Sequence, residues 1–206
     1  MKTLILASRN PGKVREFQAL LGPLGYDVLT AAQAGYDEEP EETGTTFRAN
    51  AEIKARAVFE GTGRKHLVLS DDSGLAVDAL GGAPGVYSAR YAGPGCTDDD
   101  NNRKLTRELS GFRDVPARTA RYQIALCLVE PGHDAVFFEG ACEGVIGFEE
   151  RGGGGFGYDV LFVPVGTDGK PLDGRTFAEM SAEEKNPLSH RGKAVAALRD
   201  YLAARG

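Results

Sequence analysis

Cysteine is scarce: the 206 residues hold three, Cys96, Cys127 and Cys142, odd in number and without CxxC spacing. That argues against a disulfide framework or a thiolate metal site and leads us to expect a reducing, cytoplasmic setting with the thiols as packing residues. Long apolar runs are also missing. Met1-Lys-Thr-Leu-Ile-Leu-Ala7 gives way to Ser-Arg-Asn-Pro, too short for the apolar region of a signal peptide, and no later stretch approaches the roughly 20 residues of a membrane span. Positive charge is in deficit, with 24 Lys and Arg against 30 Asp and Glu and a net charge of −6. This balance disfavours non-specific binding to nucleic acid or a membrane surface, so neither partner is expected, although a local basic pocket stays open. No stretch has the G-x-x-x-x-G-K-[ST] spacing of a P-loop. The length suits one large domain or two lobes sharing a sheet, burying about 70% of the unfolded surface.

What is present centres on Leu67-Val-Leu-Ser-Asp-Asp-Ser-Gly74. Leu67 to Leu69 suit a buried strand, and two adjacent acids would each cost several kcal/mol if carried unpaired into the same apolar surroundings. The strand is expected to deliver them into water or onto a cation. Gly74 permits a sharp turn before Leu75-Ala-Val-Asp-Ala-Leu80, which places Asp71, Asp72 and Ser73 at a bend between two ordered pieces. A solvated turn and a presented reaction site are both consistent with these four residues alone.

Thr3 to Ala7 reads as a buried strand followed by Ser8-Arg9-Asn10-Pro11-Gly12-Lys13, with Val14, Phe17, Leu20 and Leu21 then at helical spacing. Asn10 suits the N-cap and Pro11 the first helical position. A strand, a tight loop and a helix start aim N–H groups and a dipole end at an anion, and Lys13 adds a point charge; an ordinary capped start explains all but Lys13. Pro40 to Thr46 ends an acidic loop, and a second helix is expected after it, running to about Glu60, its buried stripe Phe47, Ala51, Ala55 and Val58, with Asn50 and Lys54 projecting together from another face. Glu38-Glu-Pro-Glu-Glu42 is either a solvated charge cluster or the source of a carboxylate that joins Asp72 on Mg²⁺, a hard cation that chooses oxygen ligands.

Gly81 to Gly93 carries two tyrosines and an arginine among turn formers and reads as an ordered loop packed on the core. Thr97-Asp-Asp-Asp100 reads as capping of a helix that turns Leu105 and Leu109 inward. Thr119 to Glu130 and Ala135 to Ile146 form a long hairpin through Pro131-Gly-His-Asp134, with His133 facing solvent. Gly152, Gly154 and Gly157 make a formal G-x-G-x-x-G, but Val160-Leu-Phe-Val163 after it looks like a strand where a dinucleotide fingerprint requires a helix. That run instead suits either a flexible turn or close backbone approach to a ligand, with Phe156 available to stack on a base. Ser181 and Glu184 form a capping-box pattern, and Lys185, Ser189, His190 and Arg191 gather donors before a terminal helix with Val195, Leu198 and Leu202 inward. A lone histidine such as His190 is more often structural than functional.

Ser8-x-Asn10-x-x-Lys13, Glu41-Glu-Thr-Gly44, Asn50-x-x-x-Lys54, Ser70-Asp-Asp-Ser-Gly74, the Gly81 to Tyr91 loop, Phe156-Gly-Tyr-Asp159 and Ser189-His-Arg191 occur together in an order and spacing that resemble the noncanonical purine NTP pyrophosphatases. The match is with the bacterial dITP/XTP pyrophosphatase branch of the inosine triphosphatase (Ham1-like) family and spans nearly the whole chain. Val160-Leu161, where many members have Pro-Ile, and Ser70, where many have Ala, are its small departures. The resemblance implies an elongated, two-lobed α/β fold around a long mixed sheet flanked by helices, a single domain over residues 1–206 with its site between the lobes, and a homodimer. It also implies Mg²⁺-dependent hydrolysis of ITP, dITP and XTP to monophosphate and pyrophosphate.

Carried over by residue, the resemblance makes Ser8, Arg9, Asn10, Pro11, Gly12 and Lys13 a cradle for the triphosphate, with Lys54 neutralising it. Glu41 and Asp72 become the metal ligands, with Glu42 the second choice. Asp72 resembles the proton acceptor for the attacking water, Asp71 is near enough to share either duty, and Ser73 touches substrate. Phe156, Gly157, Tyr158 and Asp159 enclose base and sugar, while Lys185, His190 and Arg191 donate to the purine edge. A non-catalytic nucleotide sensor would have no need of the acid pair, and a pyrophosphatase for modified pyrimidines, as among Maf-like proteins, would differ in its substrates.

Overall fold

A computed structural model describes residues 2–204. Six strands form one mixed sheet in the order β2-β1-β3-β4-β5-β6: Lys2–Ala7 (β1), Tyr26–Thr30 (β2), Leu67–Val77 (β3), Thr119–Val129 (β4), Val136–Ile146 (β5) and Phe162–Pro164 (β6). Among the described residues five α-helices accompany it: Pro11–Leu21 (α1), Phe47–Gly61 (α2), Asp98–Glu108 (α3), Ala182–Leu188 (α4) and His190–Ala203 (α5). β1 is parallel to β2 and β3, as α1 and α2 require when they cross between successive strands, and β6 runs antiparallel to β5. The fold is therefore α/β. Among the described residues no helix is long and apolar enough to cross a membrane.

The hairpin, the α1 and α2 starts and the α3 cap follow the sequence, but β3 does not. A bend was expected at Asp71 to Ser73; instead the strand runs unbroken from Leu67 through Gly74 to Val77. Asp71 and Asp72 are 1% and 6% exposed yet stay in the sheet, because cationic and amide groups from α1 and α2 meet them, as described below. The expected strand at Val160 to Val163 is also shifted: Gly157–Val160 is a 3₁₀ turn and pairing begins at Phe162. β2, short and half-exposed, had no clear signal in the sequence.

The chain divides into two compact units. The first comprises the segment ending at Asp72, Ile124–Glu139 and the segment starting at Ala194. Its sheet is packed on both faces: Leu4, Leu6 and Leu69 lie with Phe17 and Leu21 of α1 and Val195 and Leu198 of α5, whereas Ile5 and Val68 lie with Ala51, Ala55 and Val58 of α2. The second unit, Ser73–Gln123 with Gly140–Lys193, is built on Leu75, Val77, Leu105, Leu109, Tyr122, Ile146, Phe162 and Phe177.

A buried arginine ties the second unit together. Arg118, 2% exposed, donates to the carbonyls of Leu109, Phe112, Ile146 and Gly147 at 2.7–3.2 Å. Arg118→Met should leave those acceptors without their charged donor and cost about 3–5 kcal/mol, since a hydrogen bond to a charged group contributes about 1.5–3 kcal/mol. Urea unfolding of the variant should show a lower midpoint at unchanged slope.

Candidate functional site

Alternation along β3 explains how two neighbouring acids serve two helices. Successive side chains of a strand point to opposite faces, so Asp71 follows Leu69 toward α1 and Asp72 follows Val68 and Ser70 toward α2. The contacts agree: Lys13 Nζ of α1 lies 2.7 Å from Asp71 Oδ2, while Ser70 Oγ donates to the Ala51 carbonyl of α2. Asn50 Nδ2 donates to Asp72 Oδ2 at 3.0 Å, and Lys54 Nζ stands 3.5 Å from Asp72 Oδ1 and 2.7 Å from Glu42 Oε1. Four residues apart on α2, Asn50 and Lys54 meet one carboxylate because they share a helix face.

The flanking loops are fixed with equal economy. Asn10 Oδ1 accepts from Gly12 N and Lys13 N at 2.9 and 3.1 Å, the expected N-cap with Pro11 at the helix start, and Asn10 N donates to Ser8 Oγ at 3.4 Å. Arg9 is exposed, 3.6 Å from Glu39. Gly44 N donates to Asn50 Oδ1 at 2.8 Å, and a Cβ at residue 44 would fall 2.6 Å from that oxygen, so only glycine lets the loop close on Asn50. This contact brings in Glu42, the residue ranked second in the sequence, while Glu41 is exposed and its backbone carbonyl accepts from Thr43.

The cluster sets three carboxylates, Asp71, Asp72 and Glu42, against two ammoniums, Lys13 and Lys54. Burial raises the Asp72 pKa above its ordinary value; Glu42 adds to the rise, and Lys54, Asn50 and Lys13 oppose it. Burial works against the Lys54 charge, but Asp72, Asp71 and Glu42 outweigh it and raise that pKa too. The two shifts have different causes: burial leads the rise at Asp72, whereas the neighbouring carboxylates raise Lys54 against its burial. Such a site can accept a proton or a further cation. Among the described residues no three His, Cys, Asp or Glu side chains converge as a ready-made metal cage. Two carboxylates, Asp72 and Glu42, suit Mg²⁺, which takes one or two protein carboxylates and keeps places for water and phosphate.

The second unit carries the other predicted residues. Asp159 Oδ2 accepts from Lys185 Nζ at 2.8 Å and from Phe156 N at 3.0 Å, and its Oδ1 accepts from Tyr122 OH at 3.4 Å. A Cβ at Gly155, already at φ +72°, would fall 2.1 Å from Asp159 Oδ2, so that glycine is required where the chain folds over the carboxylate. His190 lies parallel to the Tyr122 ring, centroids 4.7 Å apart, and the Arg191 guanidinium carbon and Lys185 Nζ each lie 5.5 Å from the Phe156 centroid. Tyr158 OH donates to the Ser88 carbonyl at 2.9 Å. Phe156 is thus a half-buried ring flanked by two cations, whereas Tyr158 and Asp159 are turned to internal partners.

Three contributors to this arrangement escaped sequence reasoning: Tyr122, Asp98 and Asn102. Tyr122 read as one more β-former in a hairpin. Asp98 was absorbed into a capping run, and that run is confirmed by the Thr97–Asp100 capping box, but Asp98 Oδ2 accepts from Gly157 N at 2.7 Å. Nothing in the sequence links residues so far apart.

Comparison with known proteins places these residues in context. The model of the Ham1 family matches residues 4–201. The dITP/XTP pyrophosphatase of Bacillus licheniformis is 48% identical over 202 residues, covering 98% of each chain. That of Bacillus subtilis is 47% identical over 204 residues, covering 99% of this chain and 98% of its own. Among solved structures, the Staphylococcus aureus Ham1 protein is 35% identical, covers all of both chains and superposes with a TM-score of 0.85.

Proposed function

The chain belongs to the Ham1 family, and from that premise we propose that it hydrolyses noncanonical purine nucleoside triphosphates, ITP, dITP and XTP, to the monophosphate and pyrophosphate. The observation that carries this reading is the buried acid and lysine cluster on β3, beside a strand–loop–helix start able to receive phosphate. On this reading the triphosphate is held by the Ser8 to Lys13 loop with Lys54, and the base by the Phe156 to Asp159 segment with Lys185, His190 and Arg191. Mg²⁺ dependence, a homodimer and a cytoplasmic location belong to the same reading.

Each residue then has a chemical task. Asp72, held by Asn50 and with its pKa raised by burial, accepts the proton of the water that attacks the α-phosphorus. Asp71 grips Lys13, which makes it a positioning residue for a phosphate-binding cation rather than a second base. Lys54 lies between Asp72 and Glu42 and offers positive charge to the polyphosphate. Mg²⁺ would be held by Asp72 and Glu42, and when bound it supplies charge neutralisation for the departing pyrophosphate. Phe156, with its flanking cations, provides the stacking face for a purine.

Incubation with dITP, dATP and Mg²⁺ followed by separation of the products tests the reading. Because the terminal phosphates are held as a unit, dIMP and pyrophosphate should appear together in one step, with dATP consumed far more slowly. Free orthophosphate and a diphosphate as first products would overturn it.

A further inference from the structure

Gly157 is gripped on both sides by one helix. Asp98 Oδ2 accepts from Gly157 N at 2.7 Å, and Asn102 Nδ2 donates to Gly157 O at 3.0 Å. Asp98 and Asn102 stand four apart on α3, which puts them on one face at the spacing of a residue's N–H and C=O. Gly157 sits at φ +63°, a conformation that favours glycine, and it directly follows Phe156. Asn102 is 2% exposed, and its Oδ1 has no hydrogen-bond partner among the described residues. A buried amide that leaves one acceptor unsatisfied while spending its donor on a loop carbonyl is poorly explained by packing alone.

We propose that Asp98 and Asn102 form a clamp on Gly157, Asp98 fixing the Phe156–Gly157 peptide and Asn102 the Gly157–Tyr158 peptide, and with them the Phe156 ring beside Lys185 and Arg191, making them positioning residues for base selection. The inference rests on the reading that Phe156 stacks on the purine. Asp159 holds Phe156 N from the opposite end of the 3₁₀ turn, so three side chains fix two consecutive residues. Without the α3 contacts Gly157 is free to leave its left-handed conformation, and a ring displaced by about 1 Å can lose on the order of 10²-fold in rate on a substrate it must orient.

Asp98 is exposed, so its variants should fold, and it carries the test. Asp98→Ala removes the acceptor, Asp98→Asn keeps an acceptor without the charge, and Asp99→Ala removes a carboxylate from the same helix start without touching the clamp. Steady-state kinetics on ITP and ATP with Mg²⁺ are measured beside the melting temperature. For Asp98→Ala we expect kcat/KM on ITP to fall at least about 10-fold, mostly through KM, with a smaller loss on ATP and an unchanged melting temperature. Asp98→Asn should recover most of that loss, and Asp99→Ala should match wild type. Asn102→Ala should reproduce the kinetic pattern of Asp98→Ala, with a lower melting temperature because Asn102 is buried. If Asp98→Ala tracks Asp99→Ala, or loses equally on ITP and ATP, the clamp has no part in base selection. Failure of the wild-type protein to turn over ITP would instead overturn the proposed function.

Discussion

Asp72→Asn is expected to fold normally and to turn over ITP about 10²- to 10⁴-fold more slowly than wild type, the usual range for loss of a general base. The amide cannot take the proton of the attacking water, and it is a far weaker metal ligand. Its shape still allows a hydrogen bond from Asn50, so nucleotide binding should survive better than turnover. Retention of more than about a tenth of wild-type activity at saturating Mg²⁺ would remove the role from Asp72.

The same substitution should reveal itself in stability without metal. The folded-state pKa of Asp72 lies above its ordinary value of 3.8, chiefly through burial, so the folded protein holds that proton more tightly than the unfolded chain does. Stability from this group is therefore lost as pH rises from 3.8 through the raised value, and the asparagine removes that loss. In a chelator, Asp72→Asn should melt higher than wild type at pH 8, and the difference should close below about pH 3.8.

Arg191→Ala should produce the largest change in selectivity. Inosine and xanthosine carry an oxygen at C6 where adenine carries an amino group, so a donor that serves one faces another donor in ATP. A site built to hydrogen-bond one edge can reject the analogue lacking it by about 10⁴-fold. Arg191 is 2% exposed beside the Phe156 ring, a desolvated setting in which that mismatch is costly. The variant should lose roughly 10²-fold or more in kcat/KM on ITP and far less on ATP, and Arg191→Lys should not restore it, because an ammonium lacks the planar fork of donors. Lys13→Ala should slow both nucleotides alike. Equal losses on ITP and ATP in Arg191→Ala would take this residue out of base recognition.

The elements legible in the sequence are those whose physics is local. The Asn10 cap, the Thr97–Asp100 and Ser181–Glu184 capping boxes and the Ala51, Ala55 and Val58 part of the α2 stripe all rest on residues within a turn or two of one another, and the structure contains each of them, whereas Phe47, expected in that stripe, is only half-buried at the helix start. The pairing of Asn50 with Lys54 was legible for the same reason. The course of β3 was not, because adjacent acids predict a turn unless one knows that Lys13 and Lys54 arrive from elsewhere to meet them. That Glu42 and not Glu41 meets Lys54 could not be read from the sequence, since it depends on how the loop closes over Gly44 onto Asn50. Asp98 and Asn102 lay hidden because their partner, Gly157, is more than fifty positions away.

The opposed facing of Asp71 and Asp72 bears on how the chain can vary. Neighbours in sequence, they make their direct contacts with different helices: a change at residue 71 alters what α1 must offer at residue 13, and a change at residue 72 alters what α2 must offer at residues 50 and 54. Compensation for each would therefore come from a different helix, and the two acids cannot trade duties without turning the whole strand over.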